Sequence, residues 1–500
     1  MYEQFFKAIE SGKDPRHELI ELRKQIKKDI ASGAKRLLED DQVKILEGLL
    51  EHEDPKTRKN AVLILGEAAC TGSAQAVYEA YNREKTLFVR SSYLTALRNF
   101  DYRPFVSGLK QQLDLLASMD IRSEDKKHYD EERRILSEML FVVEKPKKHT
   151  FTGWDMSDDV LLVVSPGMEQ ALVSMLPERT RKEAKPVRGG VRVQTQHLKD
   201  IMPVRLWKQL LFRFPKATAA AGDWQKAADA LMDSGLIPFL KERHEGDFPF
   251  RFRVDLRSQM PADDKGRFIR RFAGAVESSS GGTVVHSPSY YEFEIRVTED
   301  KKQQYHFYIH LTTIPDDRFV YRKHALPTSM HPVRAAEVVA LARPWLAEDA
   351  DVLDPFCGTG TLLIERAKAV RARKLYGVDL FGDAIRYARE SAGIAQLNAD
   401  LIQRDIRDFK SNFLFSEILT ELPAVSEHQQ AETIDLLYSR FIGRIPELLA
   451  PGSPVIICCV QPQRFEKLAE RSGFLRKKEE FPLSGRRGEC ILVFTFDYLL

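Results

Sequence analysis

The sequence predicts three successive segments: an all-helical segment, a mixed α+β segment, and a C-terminal α/β domain with a doubly wound, mostly parallel sheet. Up to about residue 145, apolar residues recur at three- and four-residue intervals and glycines are few, which is typical of packed helices. Strand-like runs then alternate with helix-like runs up to about residue 325. Residues 351–364 read as a buried strand, a glycine turn and the start of an apolar helix. We therefore expect segments at 1–147, 148–325 and 326–500.

The first segment contains a weak internal repeat. Residues 52–61 are echoed by residues 85–93, and Arg58 and Arg90 lie 32 positions apart. This spacing resembles short HEAT-like repeats, in which pairs of helices stack because one pair cannot bury its own apolar face. An irregular helical bundle is the alternative interpretation. No cluster of catalytic residue types stands out here, so we expect this segment to bind or scaffold, with a protein as one candidate partner.

The second segment is preceded by residues 144–150, a polar, basic stretch with a proline that is typical of a linker. Apolar and polar residues then alternate at 248–256, 291–297 and 305–311, which predicts half-exposed strands, and a further strand is predicted at 186–193.

Basic residues cluster in this second segment, at Arg179, Arg181, Lys182, Lys185, Arg188, Arg192, Lys265, Arg267, Arg270 and Arg271. Such clusters bind phosphate backbones largely by releasing counterions, which makes the segment a candidate RNA-binding surface. A solvated charged face is the alternative.

Composition narrows the class of protein. The chain has 500 residues, of which 43% are hydrophobic and 30% charged, so we expect a globular protein with about three domains. The net charge of +3 is small, so any basic surface must be local. The five cysteines lack zinc-ligand spacing, which favours a reduced, cytoplasmic protein and predicts no metal site. No stretch approaches the roughly 20 apolar residues that span a bilayer, so no membrane association is expected.

The turn at 354–361, Asp-Pro-Phe-Cys-Gly-Thr-Gly-Thr, has the layout of a loop that binds a nucleotide-type cofactor. Glycine lets the backbone approach a ligand closely, and the free amides at the start of the next helix face that ligand. A dinucleotide fingerprint would place a third glycine at Leu363, so the pattern favours S-adenosylmethionine (SAM) over NAD.

Two further carboxylates follow this loop in the order that a SAM site requires. Asp379 ends a predicted strand 21 residues after Gly358, where its carboxylate could accept both ribose hydroxyl groups. Asp405 follows residues 397–401, where it could accept the adenine amino group. Each aspartate alone is equally typical of a helix cap or a loop. The three signals in this order predict a SAM site.

Taken together, residues from about 155 to 500 resemble the THUMP-domain RNA methyltransferases, which modify guanine at N2 in tRNA or ribosomal RNA. The most specific element is the loop at 354–361 followed by Leu363-Ile364-Glu365, which is similar to the SAM loop of that family. Less specific similarities lie at 165–169, 188–191, 316–323 and 330–336. The resemblance implies a ferredoxin-like and THUMP-like RNA-binding middle segment and a Rossmann-like class I SAM methyltransferase domain at 326–500.

The resemblance also implies roles for individual residues. Asp354, Gly358 and Gly360 would surround the methionine part of SAM, Asp379 would hold the ribose and Asp405 the adenine. His331, followed by Pro332, would lie near the methyl donor, although an ordinary helix start explains this pair as well. Further cofactor contacts are implied for Phe356, Cys357, Thr359, Leu380 and Ile406.

The chain departs from that family after the fourth predicted strand. Family members that methylate an exocyclic amine carry Asn or Asp, two prolines and an aromatic residue there, whereas residues 418–424 read Ile-Leu-Thr-Glu-Leu-Pro-Ala. Glu421 retains a hydrogen-bond acceptor and Pro423 retains one proline ring, so these two are the predicted catalytic residues, but no aromatic residue follows. The alternative is that Glu421 is an ordinary surface residue after a strand.

We therefore expect a cytoplasmic SAM-dependent methyltransferase that acts on a base nitrogen of structured RNA, either tRNA or rRNA, with guanine N2 as the implied position. Two alternatives stay open. The helical segment could recruit a protein, with the methyl group going to a protein side chain or to another base position. Alternatively, because the motif after the fourth strand is degenerate, the chain could be a catalytically weak RNA-binding or assembly factor.

Overall fold

The computed structural model describes residues 2–11, 15–31, 38–118, 125–144, 148–247, 249–425, 430–484 and 488–497. The chain divides into two units. The first comprises Met1–Thr150, Lys216–Phe239 and Glu245–Phe307, and the second comprises Phe151–Pro215, Leu240–His244 and Tyr308–Leu500. Part of the predicted linker, at 145–147, lies outside the described residues, and the boundaries expected at 147 and 325 stay predictions.

The N-terminal part of the first unit is helical, as predicted. Its α-helices are α1 Glu3–Glu10, α2 Pro15–Ala31, α3 Asp40–Gly48, α4 Pro55–Glu67, α5 Ala74–Arg83, α6 Leu87–Leu97, α7 Val106–Ser118 and α8 Lys126–Glu144. The start of α4 shows why the sequence folds this way, because the Asp54 side chain accepts hydrogen bonds from the amides of Lys56 and Thr57 while Pro55 occupies the first turn.

The internal repeat corresponds to a repeated contact. Arg58 forms an ion pair with Glu84 at 2.8 Å, and Arg90 forms one with Glu132 at 2.8 Å. Each arginine also donates to the backbone carbonyl six residues before it, at His52 for Arg58 and at Glu84 for Arg90. The two sequence copies therefore place arginine in the same role, and their HEAT-like identity stays a prediction.

The middle of the chain mixes strands and helices. They are β1 Thr150–Phe151, β2 Asp158–Val163, α9 Glu169–Met175, α10 Glu178–Arg181, β3 Ala184–Val187, β4 Gly190–Thr195, β5 Gln209–Ala220, α11 Trp224–Asp233, α12 Leu236–Glu242, β6 His244–Glu245, β7 Phe250–Arg257, α13 Ala262–Ser279, β8 Val284–His286, β9 Phe293–Glu299 and β10 Gln304–Leu311. The prediction of a single strand at 186–193 was wrong. The chain turns at Gly189, whose φ of +77° is in the region that glycine favours, and β3 and β4 form an antiparallel pair.

Strands β5 and β10 run through both units. Within the second unit the strand order is β3-β4-β2-β5-β10, and β2 pairs antiparallel with both β4 and β5. Within the first unit the order is β5-β10-β9-β7-β8, and β7 pairs parallel with β8 and β9. The middle of the chain is therefore α+β, and its ferredoxin-like and THUMP-like character stays a prediction.

The C-terminal part of the second unit contains the predicted α/β domain. Its elements are α14 Pro332–Ala342, β11 Ala350–Asp354, α15 Thr361–Ala369, β12 Ala372–Asp379, α16 Gly382–Ile394, β13 Asp400–Gln403, β14 Glu417–Glu421, α17 Ala431–Leu448, β15 Pro454–Cys459, α18 Pro462–Ser472, β16 Leu475–Pro482 and β17 Cys490–Phe496. Residues 485–487, between β16 and β17, lie outside the described residues.

The sheet of this domain has the strand order β13-β12-β11-β14-β15-β17-β16. The pairs between β13 and β15 are parallel, whereas β17 pairs antiparallel with β15 and β16. The order runs outward from β11 to β13 and then reverses through β14, so the switch point of the doubly wound sheet lies between β11 and β14. Crevices that bind ligands form at this point, outside the carboxyl ends of the strands.

Helices cover both faces of this sheet because consecutive strand residues point to opposite sides. Ile418 and Ile457 belong to a core that includes residues of α17 and α18, whereas Leu419 and Ile456 belong to a core that includes residues of α14. No helix in the described part of the chain is both long enough and apolar enough to cross a membrane.

Candidate active site

Three carboxylates lie at the carboxyl ends of neighbouring strands. Asp354 ends β11, Asp379 ends β12 and Glu421 ends β14. Because β11 pairs in parallel with both β12 and β14, these strands end at the same edge of the sheet. The structure thus brings Glu421 to the edge where Asp354 and Asp379 also lie.

Asp354 is the buried member of this group, with 1% of its surface exposed. Its Oδ1 accepts hydrogen bonds from Thr420 Oγ1 at 2.6 Å and from the amide of Phe356 at 3.2 Å. Burial, together with the negative charges of Asp379 and Glu421, raises the pKa of Asp354 to about 7, although the two hydrogen bonds favour the ionised form. A cationic ligand at this edge would therefore relieve an electrostatic cost.

The loop between β11 and α15 has the backbone that its glycines predict. Gly358 and Gly360 have φ values of +52° and +77°. A Cβ atom at Gly358 would meet no atom within 4 Å, so open space lies above this residue. At Gly377, by contrast, a Cβ would lie 2.9 Å from Cys357 Sγ, because the loop packs directly on β12. Cys357 is buried and supports the loop, and burial raises the pKa of its thiol well above the ordinary value.

Asp379 connects this loop to the following helix. Its Oδ2 accepts from the amide of Gly358 and its Oδ1 accepts from the amide of Phe381, both at 2.9 Å. The next two side chains are apolar yet exposed, with 56% of Leu380 and 65% of Phe381 accessible. An oriented carboxylate beside exposed apolar groups suits a nucleoside, whose ribose is polar and whose base has an apolar face.

Asp405 lies close to Asp379 through strand pairing. Gln403 is the register partner of Asp379, and the amide of Arg404 donates to the carbonyl of Asp379 at 2.9 Å. The carboxylate of Asp405 accepts from the guanidinium of Arg407 at 2.8 Å, which holds the pKa of Asp405 below its usual range. Ile406 is buried in the core, so its side chain presents little surface to a ligand.

The segment before α14 packs against the cofactor loop. Thr359 Oγ1 donates to Ser329 Oγ at 3.2 Å, and Thr359 is buried. Two residues after Ser329, His331 caps α14, where its Nδ1 accepts from the amide of Val333 at 3.2 Å. On the other side of the loop, the half-buried ring of Phe356 meets Phe441 edge-on at 5.4 Å.

The residues after β14 are held by α17. The amide of Leu422 donates to the carbonyl of Cys458 at 2.9 Å, and the hydroxyl of Tyr438 donates to the carbonyl of Pro423. Glu421 is half-buried. The carbonyl of Pro423 is therefore already engaged by Tyr438, whereas Glu421 ends β14 at the same sheet edge as Asp354 and Asp379.

Sequence reasoning missed several residues that shape the site. Thr420 and Tyr438 are two of them, because nothing local in the sequence marks their partners. A third is Arg205, which forms an ion pair with the buried Glu365 of α15 at 2.6 Å. The hydroxyl of Tyr321 donates to the same carboxylate at 2.5 Å. Glu365 is part of the cofactor-loop motif, and its acidity was the only available signal that a distant cation would pair with it.

An apolar void lies beneath the loop, lined by residues that include Gly360, Leu363 and Ala388. Its volume of about 10 Å³ has room for no more than about one water molecule, so it is not a cofactor site.

The family model described as UPF0020, RMKL-like, methyltransferase domain matches residues 320–487. A tRNA (guanine(10)-N2)-dimethyltransferase of Methanothermobacter thermautotrophicus is 30% identical over 140 residues, which are 27% of this chain and 39% of that protein. The chain thus spans about two fifths of the length of this curated relative.

Two solved structures share the fold. TrmN from Thermus thermophilus has a TM-score of 0.52 and 22% identity, and the match covers 68% of this chain and 99% of TrmN. The SMU.472 structure, complexed with SAH, has a TM-score of 0.50 and 15% identity, and covers 71% of this chain and 100% of that chain. The family match confirms that the chain contains a methyltransferase domain: residues 320–487 match the RMKL-like methyltransferase model, within a region that has the fold of TrmN. The boundaries expected for this domain, 326 and 500, stay predictions.

Proposed function

We propose that the protein is a cytoplasmic SAM-dependent methyltransferase that modifies a base nitrogen of structured RNA, with guanine N2 of tRNA or rRNA as the leading position. The observation that carries this proposal is that Asp354, Asp379 and Glu421 end neighbouring parallel strands beside the glycine loop, in the part of the chain that matches a methyltransferase domain. The relative that modifies guanine N2 in tRNA supports the choice of RNA.

The residues around Gly358 fit the parts of SAM. Each oxygen of the Asp379 carboxylate accepts one amide hydrogen and keeps lone pairs that can accept the ribose hydroxyl groups. The exposed Leu380 would lie against the adenine, and the adenine amino group would compete with the guanidinium of Arg407 for the carboxylate of Asp405. The positive amino and sulfonium groups of SAM would face the carboxylates of Asp354 and Glu421.

Bound SAM supplies an electrophilic methyl group, so the protein has to present a nitrogen lone pair in line with it. Glu421 would accept a hydrogen bond from the target amine and take up the proton that the nitrogen loses after methylation. Its side chain is one methylene longer than the Asp or Asn of the related family, so the amine would sit farther from the end of β14. Pro423 would stiffen the backbone after Glu421, with its carbonyl held by Tyr438.

In this proposal the middle of the chain is a ferredoxin-like and THUMP-like region that grips RNA. The helical repeats at the N-terminus are HEAT-like and offer a surface for a protein partner. The basic surface predicted at 179–192 is reduced by ion pairs, because Arg179 pairs with Asp200 and Arg192 pairs with Asp159.

The test is transfer of a labelled methyl group from SAM to total tRNA and rRNA taken from a strain that lacks the gene. We expect label in RNA that nuclease releases, and digestion to nucleosides should identify the modified base. Asp379→Ala should abolish transfer, whereas Asp383→Ala removes an exposed carboxylate four residues farther along and should leave transfer unchanged. No label in RNA from the deletion strain would refute the proposal.

A second candidate is a catalytically weak RNA-binding or assembly factor that retains a SAM pocket. The engaged Pro423 carbonyl and the lack of an aromatic residue at Ala424 favour it. In that case, Asp379→Ala would abolish SAM binding and leave the phenotype of the strain unchanged. Protein methylation, the remaining alternative, would leave label in nuclease-resistant material.

A further inference from the structure

A cavity of about 300 Å³ lies within the second unit, beside the segment that packs on the cofactor loop. The start of α14 and two connecting segments line it, and its polar side chains are mostly cationic or hydrogen-bond donors. The lining includes Lys208, Asp316, Arg318, Phe319, Arg322 and His331.

One cation of this cavity is structural. Arg318 is buried, and its guanidinium forms a fork with Asp316 through bonds of 2.7 and 2.8 Å. The same group donates to the carbonyls of Val204 and Trp207 and stacks on the Trp207 ring at 3.2 Å. Because Arg318 and Asp316 balance each other, the net positive charge of the cavity comes from the other cations.

One of the remaining cations has a donor that lacks an acceptor. Arg322 Nε is buried and has no hydrogen-bond partner among the residues that the structure describes. An unsatisfied buried donor costs about 1–3 kcal/mol, and more when it is charged, so a missing acceptor is expected there. Lys208 Nζ lies 4.0 Å from Glu337 Oε1, beyond hydrogen-bond distance, while Arg334 holds the other oxygen of Glu337 at 3.0 Å.

His331 adds a neutral donor. Its Nδ1 accepts from the Val333 amide, so the proton of the neutral ring is on Nε2. Burial, with the positive charges of Arg322 and Lys208, lowers the pKa of His331 and keeps the ring neutral. The start of α14 lies at the same place, and the positive end of its helix dipole favours an anion there.

We propose that this cavity binds a backbone phosphate of the RNA substrate, next to the nucleotide that is presented to the cofactor loop; this inference rests on the proposed function. A phosphodiester supplies the acceptor that Arg322 lacks, and the volume leaves room for it together with its hydration. The contact between Ser329 and Thr359 places the cavity beside the methyl-transfer site, so a bound phosphate would fix the register of the target base.

The test uses the full-length chain with bulk tRNA as the probe, at potassium chloride from about 50 to about 300 mM. Arg322→Ala should weaken tRNA binding about five- to twenty-fold and reduce the slope of log K against log salt by about 1. Lys323→Ala removes the adjacent exposed cation, which does not line the cavity, and should change affinity less than about twofold. The Lys208 side chain is half-exposed, so Lys208→Ala should fold, and it should weaken tRNA binding as Arg322→Ala does.

The anion in this cavity could be an RNA phosphate or the carboxylate of SAM. Calorimetric measurement of SAM affinity on the same variants distinguishes the two. We expect SAM affinity to stay within about twofold of wild type. If Arg322→Ala and Lys208→Ala bind tRNA as Lys323→Ala does, the phosphate site is refuted. If they lose SAM affinity instead, the cavity holds the carboxylate of the cofactor. If wild type binds no SAM at all, the proposed function fails, and the tRNA measurements still decide the phosphate site.

Discussion

Thr420 Oγ1 donates a hydrogen bond of 2.6 Å to Asp354 Oδ1 and so joins the ends of two adjacent parallel strands beneath the cofactor loop. Both residues are buried, and burial raises the pKa of Asp354 from 3.8 to about 7. The folded protein therefore binds the carboxyl proton of Asp354 more tightly than the unfolded chain does. The stabilising contribution of Asp354 is fully present below about pH 4 and is lost as the pH rises through 7.

The first prediction concerns the pH dependence of SAM binding. A cationic ligand favours the ionised form of Asp354, so binding should release a proton when the pH is below about 7. We expect SAM affinity to rise up to about tenfold per pH unit below 7 and to level off above it. Calorimetry in two buffers of different ionisation enthalpy measures the released proton. Asp354→Asn should bind SAM weakly, with an affinity that does not depend on pH. A SAM affinity of the wild type that does not depend on pH would contradict the prediction.

The second prediction concerns the open space above Gly358. Alanine at this position would adopt an unfavourable positive φ, at a cost of about 1 kcal/mol, and would direct its methyl group into the space proposed for the cofactor. We expect Gly358→Ala to fold and to lose at least about tenfold in SAM affinity. Gly452→Ala is the matched control, because Gly452 also has a positive φ and open surroundings but lies in the turn before β15. Equal SAM affinity in the two variants would refute a cofactor above Gly358.

The third prediction separates chemistry from cofactor binding at Glu421. Glu421→Gln keeps the size of the side chain and removes the proton acceptor, so we expect methyl transfer to fall about 10²- to 10⁴-fold with SAM affinity within about twofold. Glu432→Gln, at an exposed position in the first turn of α17, should leave both quantities unchanged. Undiminished methyl transfer by Glu421→Gln would mean that Glu421 is an ordinary surface residue and has no catalytic role.

The fourth prediction concerns Glu365, which accepts from both Arg205 and Tyr321 in the buried part of the second unit. Removing Arg205 leaves a buried carboxylate without its ion pair, and we expect Arg205→Ala to cost about 3 kcal/mol of unfolding free energy. Tyr321→Phe removes one hydrogen bond and should cost about 1–2 kcal/mol. The two changes share a partner, so the double variant should deviate from additivity in the hydrogen-exchange protection of α15. Additive losses would mean that the three groups do not act as one network.

The elements of the catalytic domain could be predicted because their signals are local. The strand, glycine turn and helix at 351–364 follow from hydrophobic pattern and glycine positions, and Asp379 follows from its place at the end of the next strand.

Pairings between distant side chains could not be predicted in this way. Arg205 and Glu365 are 160 positions apart, and Thr420 and Asp354 are 66 apart, so only the folded chain brings them together. The hairpin at Gly189 was missed although the glycine was seen, because an apolar run on either side of a turn looks like one strand. The cavity proposed for a phosphate is lined by three segments that are distant in the sequence, so only the folded chain brings them together.

The last prediction tests the internal repeat of the helical region. Arg58 and Arg90 each pair with a glutamate that is almost fully buried and also donate to the carbonyl six residues upstream. The loss of either arginine therefore leaves a buried carboxylate without its ion-pair partner. We expect Arg58→Ala and Arg90→Ala each to cost about 3–5 kcal/mol in this region. Arg98→Ala breaks an exposed pair with Glu138 and should cost less than about 1 kcal/mol.

Hydrogen exchange of α4 to α8 is the suitable measurement, because a chain of several domains does not unfold in one step. Protection should fall by a similar amount in both variants, since the two arginines have the same role in successive copies of the repeat. A large loss at Arg90 with none at Arg58 would mean that the sequence echo has no shared structural function, and an irregular bundle would then be the better description of the region.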